Sequence, residues 1–127
     1  MNEQTFFYQM SQPILDQDHL MMLEELSDDQ ENMVFELTRI FRNTTPELLE
    51  QLAHAISHNE RESIRRLAHR LKGSAANIGA RQLAARCSLL EEIARSGLAS
   101  IPIQCLIVVE EDFKATEQAL THWLANN

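Results

Sequence analysis

A chain of 127 residues with three glycines and three prolines has room for one domain, 1–127, with a modest core and little material for turns. Its 44% hydrophobic and 24% charged residues are ordinary globular values, whereas a net charge of −8 and the lack of a basic run argue against nucleic acid, whose phosphates need clustered Lys and Arg. The N-terminus has no basic segment followed by a long apolar run, and no run of about 18 apolar residues occurs, so no membrane association is expected and the protein reads as cytoplasmic.

Residues 1–13 carry no strong period, but Phe6, Phe7, Tyr8 and Met10 are too apolar for a solvated tail, so this extension is expected on or near the domain. Asp16 can cap a helix from Gln17 to about Leu26, with Leu20, Leu23 and Leu26 at helical spacing. A second helical arm is expected from Asp29 to Ser57. Met33, Val34, Leu37, Ile40 and Phe41 start its apolar stripe, and Leu48, Leu49, Leu52, Ala53 and Ile56 resume it. Thr45-Pro46 between them fits either a new cap or a kink, so the arm is bent or broken there.

Asn59 and Glu60 open a third helix that Gly79 closes, in the position where a left-handed cap favours glycine. A fourth runs from about Arg81 to Arg95, with Leu83, Ala84, Cys87, Leu90 and Ala94 inward. A fifth, from about Pro102 to Leu124, carries Leu106, Val109, Phe113, Leu120 and Trp123 on one face. Cys87 and Cys105 lie among apolar residues and read as buried thiols. Long helical segments with short connections predict an all-α fold: an antiparallel up-and-down four-helix bundle with an additional short N-terminal helix.

The third helix has an unusual outer face. Ile64, Leu67, Ala68, Leu71, Ala75 and Ile78 form the inward stripe, and at about 100° per residue His69 points away from it. Arg65 lies one turn before His69, Lys72 and Gly73 one turn after, and Ala76 two turns after. Glycine inside a helix costs about 0.5–1 kcal/mol relative to Ala, and the apolar pattern gives no reason for Gly73. A body approaching the imidazole closely would give one, and the cation Lys72 suits an anion there, most simply a phosphoryl group.

The run Ala68-His69-Arg70-Leu71-Lys72-Gly73-Ser74-Ala75-Ala76-Asn77-Ile78-Gly79-Ala80 resembles the signature of histidine phosphotransfer (HPt) domains of two-component phosphorelays. The likeness spans about residues 13 to 124, though outside residues 68–80 it is mostly apolar spacing. It implies that His69 accepts a phosphoryl group on its ε nitrogen from a receiver-domain aspartyl phosphate and passes it to the aspartate of another receiver. Lys72 would then neutralise phosphoryl oxygens, and Gly73, with Arg65 and Ala76, would admit the partner. Glu91, 22 residues after His69, matches the family position that hydrogen-bonds the imidazole or the phosphoryl group, and a hairpin near Gly79 would bring it back to the level of the ring. Leu20 and Leu23 are candidates for the rim of the docking surface, packing onto the bundle being their alternative.

The resemblance further implies receiver partners from a hybrid sensor kinase and a response regulator, a monomer, and no cofactor in this chain, with Mg²⁺ on the receiver. No Walker or other Gly-rich phosphate loop is present, so autophosphorylation from ATP is not expected. His54 and His58 have the i, i+4 spacing of a metal pair but lack a third ligand, and His19 and His122 stand in no constellation. A binding module of the same fold that docks a receiver or kinase without transfer is the alternative, against which the intact His69, Lys72 and Gly73 speak. The absence of Glu-x-x-His motifs speaks against a metal hydrolase in the bundle core.

Overall fold

The computed structural model describes residues 6–7, 12–97 and 100–126. Its helices are α1 (Gln17–Glu25), α2 (Met33–Ser57), α3 (Arg61–Ile78), α4 (Arg81–Arg95) and α5 (Ile103–Asn126), and no strand occurs among the described residues. α3 packs against α2 and α4, and α5 packs against the same two helices, which closes a four-helix bundle. Leu52, Ile64, Leu67, Leu71, Leu90 and Leu120 are fully or almost fully buried in it, each contributing about 1.5–3 kcal/mol by leaving water. Phe41 of α2 meets Phe113 of α5 at 5.4 Å between ring centroids. No helix among the described residues is long and apolar enough to cross a membrane.

α1 lies across the end of the bundle where α3 turns into α4. Asp16 caps it by accepting the His19 amide at 3.1 Å, and the Asp16 amide donates to the Gly79 carbonyl at 2.8 Å. The His19 ring spans to the Asn77 carbonyl at 2.9 Å; because a carbonyl only accepts, Nε2 carries the hydrogen. His19, without a constellation in the sequence, thus joins α1 to the last turn of α3. At the other end of α1, the Trp123 indole donates to Glu24 at 2.9 Å.

This docking corrects one expectation. Leu20 and Leu23 are buried, so they are core residues and not a docking rim. The exposed apolar side chains of α1 and its end are Met21, Met22 and Leu26.

The start of α2 also differs from the expected Asp29. The Asp28 carboxylate accepts the amides of Gln30 and Glu31, and the Ser27 hydroxyl accepts that of Met33 at 2.8 Å. Side chains thus close a turn, and Asn32 becomes the cap through the Phe35 amide. α2 then continues unbroken through Pro46, whose missing N–H leaves the Arg42 carbonyl without its helical donor.

Between α3 and α4, Gly79 takes φ +78°, and the Ala80 amide returns to the Ala75 carbonyl at 2.8 Å. A Cβ at Gly79 would stand 3.0 Å from the His19 ring, so the tight turn and the docked α1 both require glycine. The result is a hairpin in which α4 runs back along α3.

Charge enters the interior on α4 and α5. Arg86 donates to Asp112 at 2.7 Å, Gln82 donates to its other oxygen at 2.8 Å, and Arg86 also reaches the Phe6 carbonyl while its guanidinium lies 5.5 Å from the Phe6 ring centroid. Phe6 is itself buried; of the extension 1–13, residues 1–5 and 8–11, including Tyr8 and Met10, lie outside the described residues. Both cysteines are buried, and burial, with the Asp112 charge next, pushes the Cys87 thiol up to about 12.

Candidate functional site

The site is assembled from two antiparallel helices. The inward stripe of α3 is buried as its spacing requires, and this fixes the helix's rotation so that His69 faces outward with 63% of its side chain exposed. Glu91 lies on α4 and is inaccessible, with 3% of its side chain exposed. The hairpin brings the two to the same level: His69 Nδ1 lies 3.0 Å from Glu91 Oε2.

Two further cations share this carboxylate. Lys72, one turn after His69, donates from Nζ to Glu91 Oε1 at 2.7 Å. Arg95, one turn after Glu91, donates from Nη2 to Oε2 at 3.1 Å, the same oxygen that faces the imidazole. The Lys72 hydrogen bond is the main reason that the Glu91 carboxyl sits below its ordinary value of 4.5; desolvation opposes the shift, and the Lys72 charge and then His69 add to it.

The ionised carboxylate dictates the state of the ring. It can only accept, so the neutral imidazole must place its hydrogen on Nδ1, leaving the lone pair on Nε2. Burial of Glu91 holds this orienting group still while the reactive edge of the ring remains accessible. The arrangement is an oriented nucleophile flanked by two cations, suited to an electrophile that carries negative charge.

Around the ring the surface is low. Gly73 is exposed, and a Cβ there would meet nothing within 4 Å, so no contact within the chain calls for glycine. Ala76 is also exposed and borders a shallow groove with His19, Gly79 and Ala84. Arg65 is turned to Glu62, which it contacts from Nε at 3.0 Å, and this bond holds the Glu62 carboxyl below its ordinary range.

The structure thus joins His69, Lys72 and Glu91 directly, sets Gly73, Ala76 and Arg65 on the surrounding surface, and withdraws Leu20 and Leu23 into the core. Arg95 is the functional candidate that sequence reasoning missed. Its i+4 spacing from Glu91 on a helix was the available signal. His54 and His58 stack on each other at 4.0 Å between ring centroids.

A family model described as "Hpt domain" matches residues 36–121. Among solved structures, the chain is similar to the crystal structure of histidine-containing phosphotransfer protein B (HptB) from Pseudomonas aeruginosa PAO1. The two share 28% sequence identity with a TM-score of 0.79, over 92% of this chain and 99% of that one. No curated protein matches the chain.

Proposed function

We propose, from the premise that the chain belongs to the Hpt domain family and is a histidine phosphotransfer protein of a phosphorelay, that His69 is the residue that carries the phosphoryl group. The observation that supports this assignment is the 3.0 Å contact between Nδ1 and the buried Glu91, which leaves Nε2 as the lone-pair nitrogen of an exposed ring.

Hpt domains interact with receiver domains of two-component systems, and the donor here is the aspartyl phosphate of one of them. The Nε2 lone pair forms the N–P bond while the O–P bond of the acyl phosphate breaks, and the receiver carboxylate leaves with the electron pair. Nδ1 keeps its hydrogen throughout. The ring therefore becomes a cation, and Glu91 is the counter-charge already in place. Reversal of the same step onto the aspartate of a second receiver returns a neutral imidazole.

Lys72 neutralises phosphoryl oxygens by leaving Glu91, a move that a four-carbon stem on a half-buried residue permits. Gly73 and Ala76 keep the approach low, and Arg65 stands at its edge. These cations leave the divalent ion, Mg²⁺, to the acidic pocket of the receiver, which supplies the remaining charge neutralisation. In this reading the protein acts as a cytoplasmic monomer between the receiver of a hybrid sensor kinase and that of a response regulator, as a relay intermediate and not a kinase that uses ATP.

The test is incubation with a receiver bearing labelled aspartyl phosphate. Acid-labile, alkali-stable label is expected on the wild type and none on His69→Gln. Equal labelling of both proteins would overturn the assignment.

A further inference from the structure

We infer that Arg66 and Arg70 form an acid-recognising flank beside His69, which docks carboxylate side chains on the rim of a receiver's phosphorylation pocket and so selects among receivers. The inference rests on the reading of His69 as phosphoacceptor and adds to it two residues that discriminate between partners.

Three observations carry it. First, the two flanks of His69 differ in charge balance. Lys72 lies about 60° from His69 around α3, on the side of α4, where Glu91 neutralises it. On the opposite side stand Gly73, Arg66 and Arg70, at about 40°, 60° and 100° from His69.

Second, both arginines are exposed, and no hydrogen bond or ion pair among the described residues engages either one. The positions one turn from Arg70 hold Arg66, Leu67, Gly73 and Ser74, none of them an acid. Glu62, one turn before Arg66, feels its charge but is held by Arg65. By contrast, Arg39 and Arg95 each meet an acid one turn away on their own helix. Like charges four residues apart destabilise a helix, so nothing within the chain accounts for Arg70 following Arg66. As with Gly73, the benefit lies in what approaches from outside.

Third, the surrounding field is confined to this part of the molecule. Residues 61–95 contain eight of the eleven Arg and Lys and three of the nineteen acids, a net +5 that leaves −13 on the rest of the chain. A receiver with an acidic rim is repelled by most of the surface and attracted only to this hairpin. Arg66 and Arg70 stand about 6 Å apart along α3. Their planar guanidinium groups bind carboxylate oxygens in pairs, which makes the flank sensitive to where a partner carries its acids. Both arginines lie away from Glu91 and act on docking, not on the transfer step.

The test uses the receiver that labels wild type fastest and follows single-turnover transfer onto the full-length chain over a range of receiver concentrations. Loss of two exposed ion pairs in Arg66→Gln/Arg70→Gln should raise the half-saturating concentration about threefold to tenfold, with the maximal rate retained. Arg66→Lys/Arg70→Lys, which keeps the charge without the paired donors, should fall between the two. Salt should raise the wild-type value toward that of the double Gln variant, whereas repulsion between two net-negative proteins alone would lower it. Lys114→Gln makes the same change in net charge as Arg70→Gln, at an exposed position of α5 across the bundle, and should leave the value unchanged. Equal effects of Lys114→Gln and Arg70→Gln overturn the inference in favour of net charge. A double Gln variant that matches wild type, or that loses only maximal rate, overturns it outright. A parallel fall in Tm assigns the arginines a structural role instead; Arg70→Glu, which sets an acid one turn after Arg66, should melt no lower than wild type. Label that also reaches His69→Gln overturns the reading of His69 itself.

Discussion

Replacing Glu91 tests the chemistry most directly, because one side chain serves His69, Lys72 and Arg95 at 3.0, 2.7 and 3.1 Å. Glu91→Ala removes both the acceptor that sets the hydrogen on Nδ1 and the counter-charge to the cationic ring. A hydrogen bond to a charged group contributes about 1.5–3 kcal/mol, and exposure of the imidazole reduces the His69 contact toward the lower end. Transfer onto His69 should therefore slow about tenfold to thirtyfold, where 1.4 kcal/mol is a factor of ten. Glu91→Gln keeps an oxygen that can accept from Nδ1 but loses the charge, so its rate should fall between the two. Single-turnover rapid-quench transfer from a labelled receiver, present in saturating amount, measures the effect. A Glu91→Ala rate within twofold of wild type would refute the argument that Glu91 orients and stabilises the ring.

The same residue gives stability a pH signature. Its folded-state carboxyl lies below the ordinary 4.5, chiefly because of the Lys72 hydrogen bond, so the stabilisation is complete above about pH 4.5 and lost as pH falls through the lower folded value. Wild type should exceed Glu91→Gln in Tm at pH 7, and the gap should close on acidification. A gap that persists unchanged at pH 3 would contradict this.

Other substitutions separate surface from scaffold. Gly73→Ala should raise stability by about 0.5–1 kcal/mol, since its Cβ meets nothing in the chain, while weakening receiver binding in a calorimetric titration; unchanged affinity would remove the case for an open approach. Gly79→Ala forces a side chain into φ +78° and against His19, and should cost about 1–2 kcal/mol in denaturant unfolding. Asp112→Ala removes the carboxylate that pairs with the buried Arg86 and should cost about 3 kcal/mol or more, read by the same assay.

The helices were legible where their cause was local. Ile64, Leu67, Ala68, Leu71, Ala75 and Ile78 repeat at helical spacing and all are buried, so the outward position of His69 followed from the same wheel. Gly79 at the end of that stripe marked the turn. Misreadings arose where specific hydrogen bonds, distant or local, override what apolar spacing suggests. Leu20 and Leu23 could face either a receiver or the bundle until the Asp16–Gly79 and His19–Asn77 hydrogen bonds settled the rotation of α1. Asp29 looked like a helix start until the Asp28 and Ser27 side chains took the amides that a helix would have used.

By itself the sequence determined the succession of helices, the inward stripe of α3 and the surface on which His69, Lys72 and Gly73 stand together, because neighbours one turn apart on a helix follow from its period alone. Only the tertiary structure decided that Glu91 reaches Nδ1, that Lys72 and Arg95 share its carboxylate, and that Arg86 and Asp112 pair in the interior. Those contacts cross from one helix to another. They depend on relative rotation and axial register, which the packing of whole apolar faces sets and which spacing along one helix does not encode.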